Sequence, residues 1–186
     1  KYAVGPRKEM ATRTIFNLLG PLTNPANAKR QVMGVFHQKW VRPIAEVLKA
    51  LGSEHVMVVH SEDGLDEISI AAPTYVAELK NGEIFEYQIS PEDFGIPLQS
   101  TDTIQAFDAS ESLALIKTAL EGKGKVNPAR DIVALNAGAA IYVSGIADTL
   151  AEGVNIAEDV IGGGTAKVKM SELASFTRCF MSPDSL

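Results

Sequence analysis

The run Gln31-Val32-Met33-Gly34-Val35-Phe36, then Val41-Arg42-Pro43-Ile44-Ala45-Glu46-Val47-Leu48-Lys49-Ala50-Leu51, then His55-Val56-Met57-Val58-Val59, changes its apolar period twice and decides the fold class. The outer runs are short and continuously apolar, as buried strands are, whereas Ile44, Ala45 and Leu48 share one side of a helix. The roughly 20 residues between the strands suit a right-handed parallel crossover rather than a hairpin.

Further on, Asn81-Gly82 separates apolar runs at 74–79 and 84–89, and both residues tolerate the positive backbone angles of a type I′ hairpin turn. Ser110 is positioned to cap a helix ending near Leu120. Asn127-Pro128 supplies a cap and a first-turn proline for the apolar segment 129–143, a core helix. Gly162-Gly163-Gly164 separates two terminal helices, expected over 149–161 and 166–178. Ahead of the first strand, Ala11, Ile15, Leu18 and Leu19 have the spacing of one helical face over 7–19, with Gly20-Pro21 as its stop and the proline-rich 21–28 as a hinge loop. The expectation is an α/β fold, a mixed, largely parallel sheet flanked by helices, with a short helical segment in front.

Composition narrows the function classes. The 186 residues are 46% apolar and 22% charged, which fits one main globular domain. A net charge of −6, with no basic run longer than a pair such as Lys29-Arg30, argues against a nucleic-acid partner. No apolar stretch reaches the roughly 20 residues that cross a bilayer. Cys179 is the single cysteine, so no disulfide forms within the chain; it reads as a small buried hydrophobe, and a cytoplasmic location is expected. The first residues, Lys1-Tyr2-Ala3-Val4-Gly5-Pro6, carry no initiator methionine and no apolar signal region, and the chain is expected to be a piece of something longer.

The densest chemistry is Ser61-Glu62-Asp63-Gly64-Leu65-Asp66-Glu67, with four carboxylates in six residues directly after an apolar strand. Sites in open α/β sheets gather at the carboxyl ends of strands, and hard oxygens there suit Mg²⁺. A solvated acidic loop turning at Gly64 explains the same residues, and the spacing is not that of an EF-hand. Asp66 and Glu67 are adjacent, so reaching one ion together requires a turn.

The segment Pro6-Arg7-Lys8-Glu9-Met10-Ala11-Thr12-Arg13-Thr14-Ile15-Phe16-Asn17-Leu18-Leu19-Gly20-Pro21-Leu22-Thr23-Asn24-Pro25 resembles the link between the helical and α/β domains of anthranilate phosphoribosyltransferases. Asp63-Gly64-Leu65-Asp66-Glu67 resembles that family's metal motif, and the likeness continues through Asn136-Ala137-Gly138-Ala139-Ala140 and Ala174-Ser175-Phe176-Thr177-Arg178. The resemblance implies that residues 1–20 are a remnant of the helical domain, 21–28 the hinge, and 29–186 the main glycosyltransferase domain, incomplete at its upstream side.

It further implies that Arg7 binds the anthranilate carboxylate, that Gly20 and Pro21 line the anthranilate channel, and that Asp66 and Glu67 hold Mg²⁺ against phosphoribosyl pyrophosphate. A guanidinium suits the first role, since it can pair a carboxylate through two parallel hydrogen bonds. Asp63 is given no ligand role. The implied activity is phosphoribosyl transfer to anthranilate in tryptophan biosynthesis, by a homodimer packed through the helical domain.

The family's glycine-rich phosphate loop, its Asn-Ser/Thr segment and its Lys-His-Gly-Asn-Arg-like segment lie upstream in the family and have no counterpart here, so these residues alone are expected to be inactive and to expose apolar surface. Gly162-Gly163-Gly164-Thr165 lacks a Walker lysine and does not replace that loop.

Other candidates carry less. His37, His55 and His60 have neither common helical spacing nor cysteine partners for zinc, Trp40 reads as a packing residue, and Ser144-Gly145 lacks the context of a nucleophile elbow. A pyrimidine nucleoside phosphorylase-like enzyme is the alternative within the same fold; the set of Arg7, Gly20-Pro21 and Asp66-Glu67 favours the anthranilate enzyme. A non-catalytic, nucleic-acid-binding paralogue should be basic and lack the Asp-Glu pair, and this chain is acidic and has it.

Overall fold

Strand β1 (Arg30–Gly34) runs parallel to β2 (His55–Ser61), and helix α1 (Val41–Ala50) makes the crossover between them. The computed structural model from which this is described covers residues 19, 20, 22–121 and 127–180. Strands β3 (Thr74–Lys80) and β4 (Glu83–Ile89) complete a sheet of order β1-β2-β3-β4.

The sheet is mixed, as expected, but less parallel than expected: among the described strands only β1–β2 is parallel, and β2–β3 and β3–β4 are antiparallel. Only the β1–β2 connection carries a helix long enough to return the chain to the same end of the sheet. The hairpin turns at Asn81 (φ 54°) and Gly82 (φ 78°), the two positive angles that a type I′ turn needs.

Strand β2 reads as an unbroken apolar run because both of its faces are covered. Val56 and Val58 meet Ile44, Ala45 and Leu48 of α1 on one face. Met57 and Val59 meet Leu135, Ala139 and Val154 on the other, from helices α3 (Pro128–Ser144) and α4 (Leu150–Gly162). These two helices cross at Gly138 and Gly153, where a Cβ on either would strike the opposite backbone.

Helix α2 (Ala109–Leu120) starts two residues earlier than a Ser110 cap would place it. Its cap is Asp108, not Ser110: the Asp108 carboxylate accepts the Glu111 N–H at 2.8 Å, which satisfies an otherwise free amide of the first turn. The Asn127 cap of α3 is as expected, its Oδ1 accepting from Ala129 and Arg130 at 3.1 and 3.2 Å. Helix α5 (Thr165–Arg178) follows the glycine break and leaves Val168, Leu173 and Phe176 exposed. Cys179, expected to be buried, is exposed, because it lies just past this uncovered helix.

The helix expected over 7–19 lies outside the described residues apart from Leu19. Helical backbone includes Leu19, Gly20 and Leu22, so the stop expected at Gly20 falls later, at Thr23. There the Thr23 N–H and hydroxyl both donate to the Gly20 carbonyl at 3.1 Å, and the hydroxyl also reaches the Leu19 carbonyl. Among the described residues no helix is long and apolar enough to cross a membrane.

Candidate functional site

Ser61, the last residue of β2, opens the acidic loop by donating its N–H to the Leu65 carbonyl at 2.9 Å and accepting the Gly64 N–H at 3.0 Å. Gly64 has φ 92°, a conformation that only glycine adopts without strain. Two of the four carboxylates are used inside the structure. Asp63 accepts the Leu65 N–H at 3.1 Å and the Ser69 hydroxyl at 2.6 Å, and Glu62 accepts the Gln88 amide at 3.0 Å. Partial burial pulls the Asp63 carboxyl upward, but hydrogen bonds from Ser69, Leu65 and Ser61 outweigh it and hold the group below its ordinary value.

The other two carboxylates are presented rather than used. Asp66 and Glu67 sit in a bend, are exposed, and have no side-chain hydrogen bond or ion pair among the described residues. Desolvation, and then the charge of Asp66, push the Glu67 carboxyl above its ordinary value. A cation placed between the two would relieve that repulsion.

The backbone on either side of Glu67 is held. On one side, Gly34 at the end of β1 lies against the Asp66 carbonyl so closely that a Cβ there would overlap it. On the other, the Asn136 side chain of α3 donates to the Ile68 carbonyl at 2.9 Å and accepts the Ile68 N–H at 3.0 Å. The Ile68 side chain is 1% exposed, in the core with Leu135 and Ala139 of the same helix. Nearby, the His60 Nδ1–H donates to the Val35 carbonyl at 2.8 Å and the ring stacks on His37. That arrangement makes His60 a brace between β2 and the end of β1.

The donor set suits Mg²⁺, which takes one or two carboxylates and completes its octahedron with water and phosphate oxygens. Among the described residues no group of three or more His, Cys, Asp or Glu side chains could cage an ion unaided, so the pair fits a metal shared with a phosphorylated ligand. Glu67 and Leu65 also border a cleft of about 420 Å³ with Ile104, Leu115 and Ile132.

Of the residues singled out in the sequence, Asp66 and Glu67, neighbours in the chain, share one exposed bend. Gly20 is exposed and helical, with open space where a Cβ would stand, and its carbonyl is bound by Thr23. Arg7 and Pro21 lie outside the described residues. Two supporting residues were not assigned a role by the sequence. A glycine inside the apolar run of β1 is a signal of close backbone approach, but nothing local names the Asp66 carbonyl as its neighbour. For Asn136 the signal was a polar residue in the middle of the apolar stretch 132–143 of its helix.

Residues 1–167 match the glycosyl transferase family, a/b domain, and the chain belongs to that family. Within it, the chain is 95% identical over 186 residues to the anthranilate phosphoribosyltransferase of Marinomonas sp., covering 100% of this chain and 54% of that protein. The crystal structure of anthranilate phosphoribosyltransferase (TrpD) from Thermus thermophilus superposes with a TM-score of 0.84 at 39% identity, over 94% of this chain and 51% of that one. The Saccharomyces cerevisiae enzyme, solved in complex with PRPP and Mg, superposes with a TM-score of 0.76 at 25% identity, over 89% of this chain and 47% of that one. The chain spans about half the length of the curated relatives it matches.

Proposed function

We propose that this chain is the metal-binding, carboxy-terminal part of an anthranilate phosphoribosyltransferase. The enzyme transfers a phosphoribosyl group from 5-phosphoribosyl 1-pyrophosphate to the amine of anthranilate, giving N-(5-phosphoribosyl)anthranilate and pyrophosphate in tryptophan biosynthesis. The observation that carries the reading is the Asp66-Glu67 pair, without a protein partner among the described residues and beside a strand end, in a chain 95% identical to a protein of that name.

In this reading Asp66 and Glu67 offer hard oxygens to Mg²⁺ on the pyrophosphate of the donor. When bound, the ion supplies positive charge to the departing pyrophosphate. Arg7 pairs with the anthranilate carboxylate and so orients the amine, while Gly20 and Pro21 leave room for the flat ring. The nitrogen attacks C1′ of the ribose as the C1′–oxygen bond to pyrophosphate breaks, with inversion at carbon. The ammonium so formed sheds its proton to water without a dedicated base. Asp63 stays out of the chemistry, because both of its oxygens hold the loop. The same reading has residues 1–20 belong to a helical dimerisation domain, makes the whole enzyme a cytoplasmic homodimer, and leaves residues 1–186 inactive alone.

The test is to incubate the intact enzyme with anthranilate, the donor and Mg²⁺ and to identify the product by mass spectrometry. Phosphoribosylanthranilate is expected. Phosphorolysis of thymidine without reaction of anthranilate would replace this reading with a nucleoside phosphorylase.

A further inference from the structure

The two backbone groups of Ile68, the residue directly after Glu67, are both bound by one side chain 68 positions away. Asn136 donates its Nδ2 to the Ile68 carbonyl at 2.9 Å and accepts the Ile68 N–H on Oδ1 at 3.0 Å. Its second Nδ2 hydrogen goes to the Ile132 carbonyl, one helical turn back at 3.0 Å, so the partners fix which end of the amide is which. No other side chain of this size offers both a donor and an acceptor in one plane.

The scaffold behind this clamp is stiff. Leu135 and Ala139, which flank Asn136 on α3, are fully buried in the cluster that also takes the Ile68 side chain. The peptide that joins the two acidic residues is seated on Gly34 through the Asp66 carbonyl. Exposed side chains without partners do not fix their own direction, so the direction of Asp66 and Glu67 is set by the backbone at these two supports.

We infer that Asn136 is a positioning residue for the Asp66-Glu67 pair, orienting the peptide after Glu67 so that both carboxylates serve one divalent ion. This rests on the metal role proposed above. Residues that orient a metal ligand without touching the metal are worth about 10–100-fold in affinity or activity when removed.

The experiment uses the intact enzyme and Mn²⁺ as the probe, with free ion counted by electron paramagnetic resonance in the presence of 5-phosphoribosyl 1-pyrophosphate. Asn136→Ala is expected to weaken Mn²⁺ binding about 10-fold or more. The Mg²⁺ concentration for half-maximal turnover should rise in parallel, with kcat regained at saturating Mg²⁺ and the KM for anthranilate unchanged. A lowered melting temperature with full Mn²⁺ affinity would make Asn136 a purely structural residue and overturn the inference. Should Asn136→Ala not fold, Asn136→Gln carries the same test, since it keeps both groups but displaces them by one methylene. Asp66→Asn with Glu67→Gln is the reference: loss of Mn²⁺ binding there, with none in the Asn136 variants, sinks the positioning role alone, whereas undiminished binding in the reference sinks the metal reading and the inference with it.

Discussion

Gly34 lies directly against the backbone carbonyl of Asp66, with no space for a side-chain carbon between them. The contact joins the end of the first strand to the acidic loop after the second, two segments made neighbours by the parallel pairing of Gly34 with Val59. A glycine that weakens a strand locally is kept where another backbone must come close. Here it lets the loop fold inward over the end of β1.

Gly34→Ala is therefore expected to displace the Asp66 peptide and to destabilise the intact protein by about 1–3 kcal/mol, the usual cost of overpacking. Urea unfolding measures the first effect, and Mn²⁺ binding reads the second through the displaced carboxylate. Wild-type values for both would mean that the loop yields without cost.

A second close approach lies at the α3–α4 crossing. A Cβ on Gly153 would strike the Gly138 carbonyl, and one on Gly138 would strike the backbone of Val154. Gly153→Ala should separate the helices and lower stability by about 1–3 kcal/mol. Gly162→Ala, at the end of α4 with open space around it, should be neutral or slightly stabilising by the same urea titration.

Glu78 is a buried carboxylate, 6% exposed, that accepts hydrogen bonds from Tyr142 and Tyr87 at 2.7 Å each and pairs with His55 at 2.8 Å. Burial pushes its carboxyl upward, yet the hydrogen bonds from Tyr142, Tyr87 and His55 outweigh that and hold it below its ordinary value. A carboxyl depressed in the folded state contributes stability above its unfolded pKa and loses it as pH falls through the folded one. Tyr142→Phe is expected to cost about 1–3 kcal/mol near neutral pH, since it leaves a buried charge short of a donor. That cost should shrink as pH drops below the ordinary carboxylate range. Thermal melts of both proteins across that range check it; a cost constant with pH would mean that the lost contact is packing rather than charge.

The acidic pair and the acceptor arginine should separate kinetically in the intact enzyme. Asp66→Asn with Glu67→Gln should depress turnover strongly with little change in melting temperature, because neither side chain has a protein partner among the described residues to lose. Replacing Arg7 should raise the KM for anthranilate more than that for the phosphoribosyl donor. Equal effects on both substrates would argue against carboxylate recognition by Arg7.

Much of this protein is legible in its sequence for local reasons. The strand–helix–strand unit follows from the lengths and periods of three runs. The hairpin follows from two residues that tolerate positive φ, and the start of α3 from Asn127-Pro128. Where local signals competed, they misled. Ser110 and Asp108 are both able to cap a helix, and only the backbone path after Phe107 selected Asp108. Gly20 carries a stop signal, but the turn closes at Thr23, whose hydroxyl can take up the freed carbonyls.

The acidic loop divides in the same way. That four carboxylates follow an apolar strand is written in the sequence, as is the family motif they form. Which of the four are available was decided by tertiary structure. Ser69 and Leu65 occupy Asp63, Gln88 reaches across from β4 to Glu62, and Gly34 with Asn136 holds the backbone of the remaining two before and after Glu67. The reason is geometric: Gln88, Gly34 and Asn136 stand 26, 32 and 68 positions from the groups they bind or seat, so their proximity exists only once the strands pair and α3 packs on the sheet.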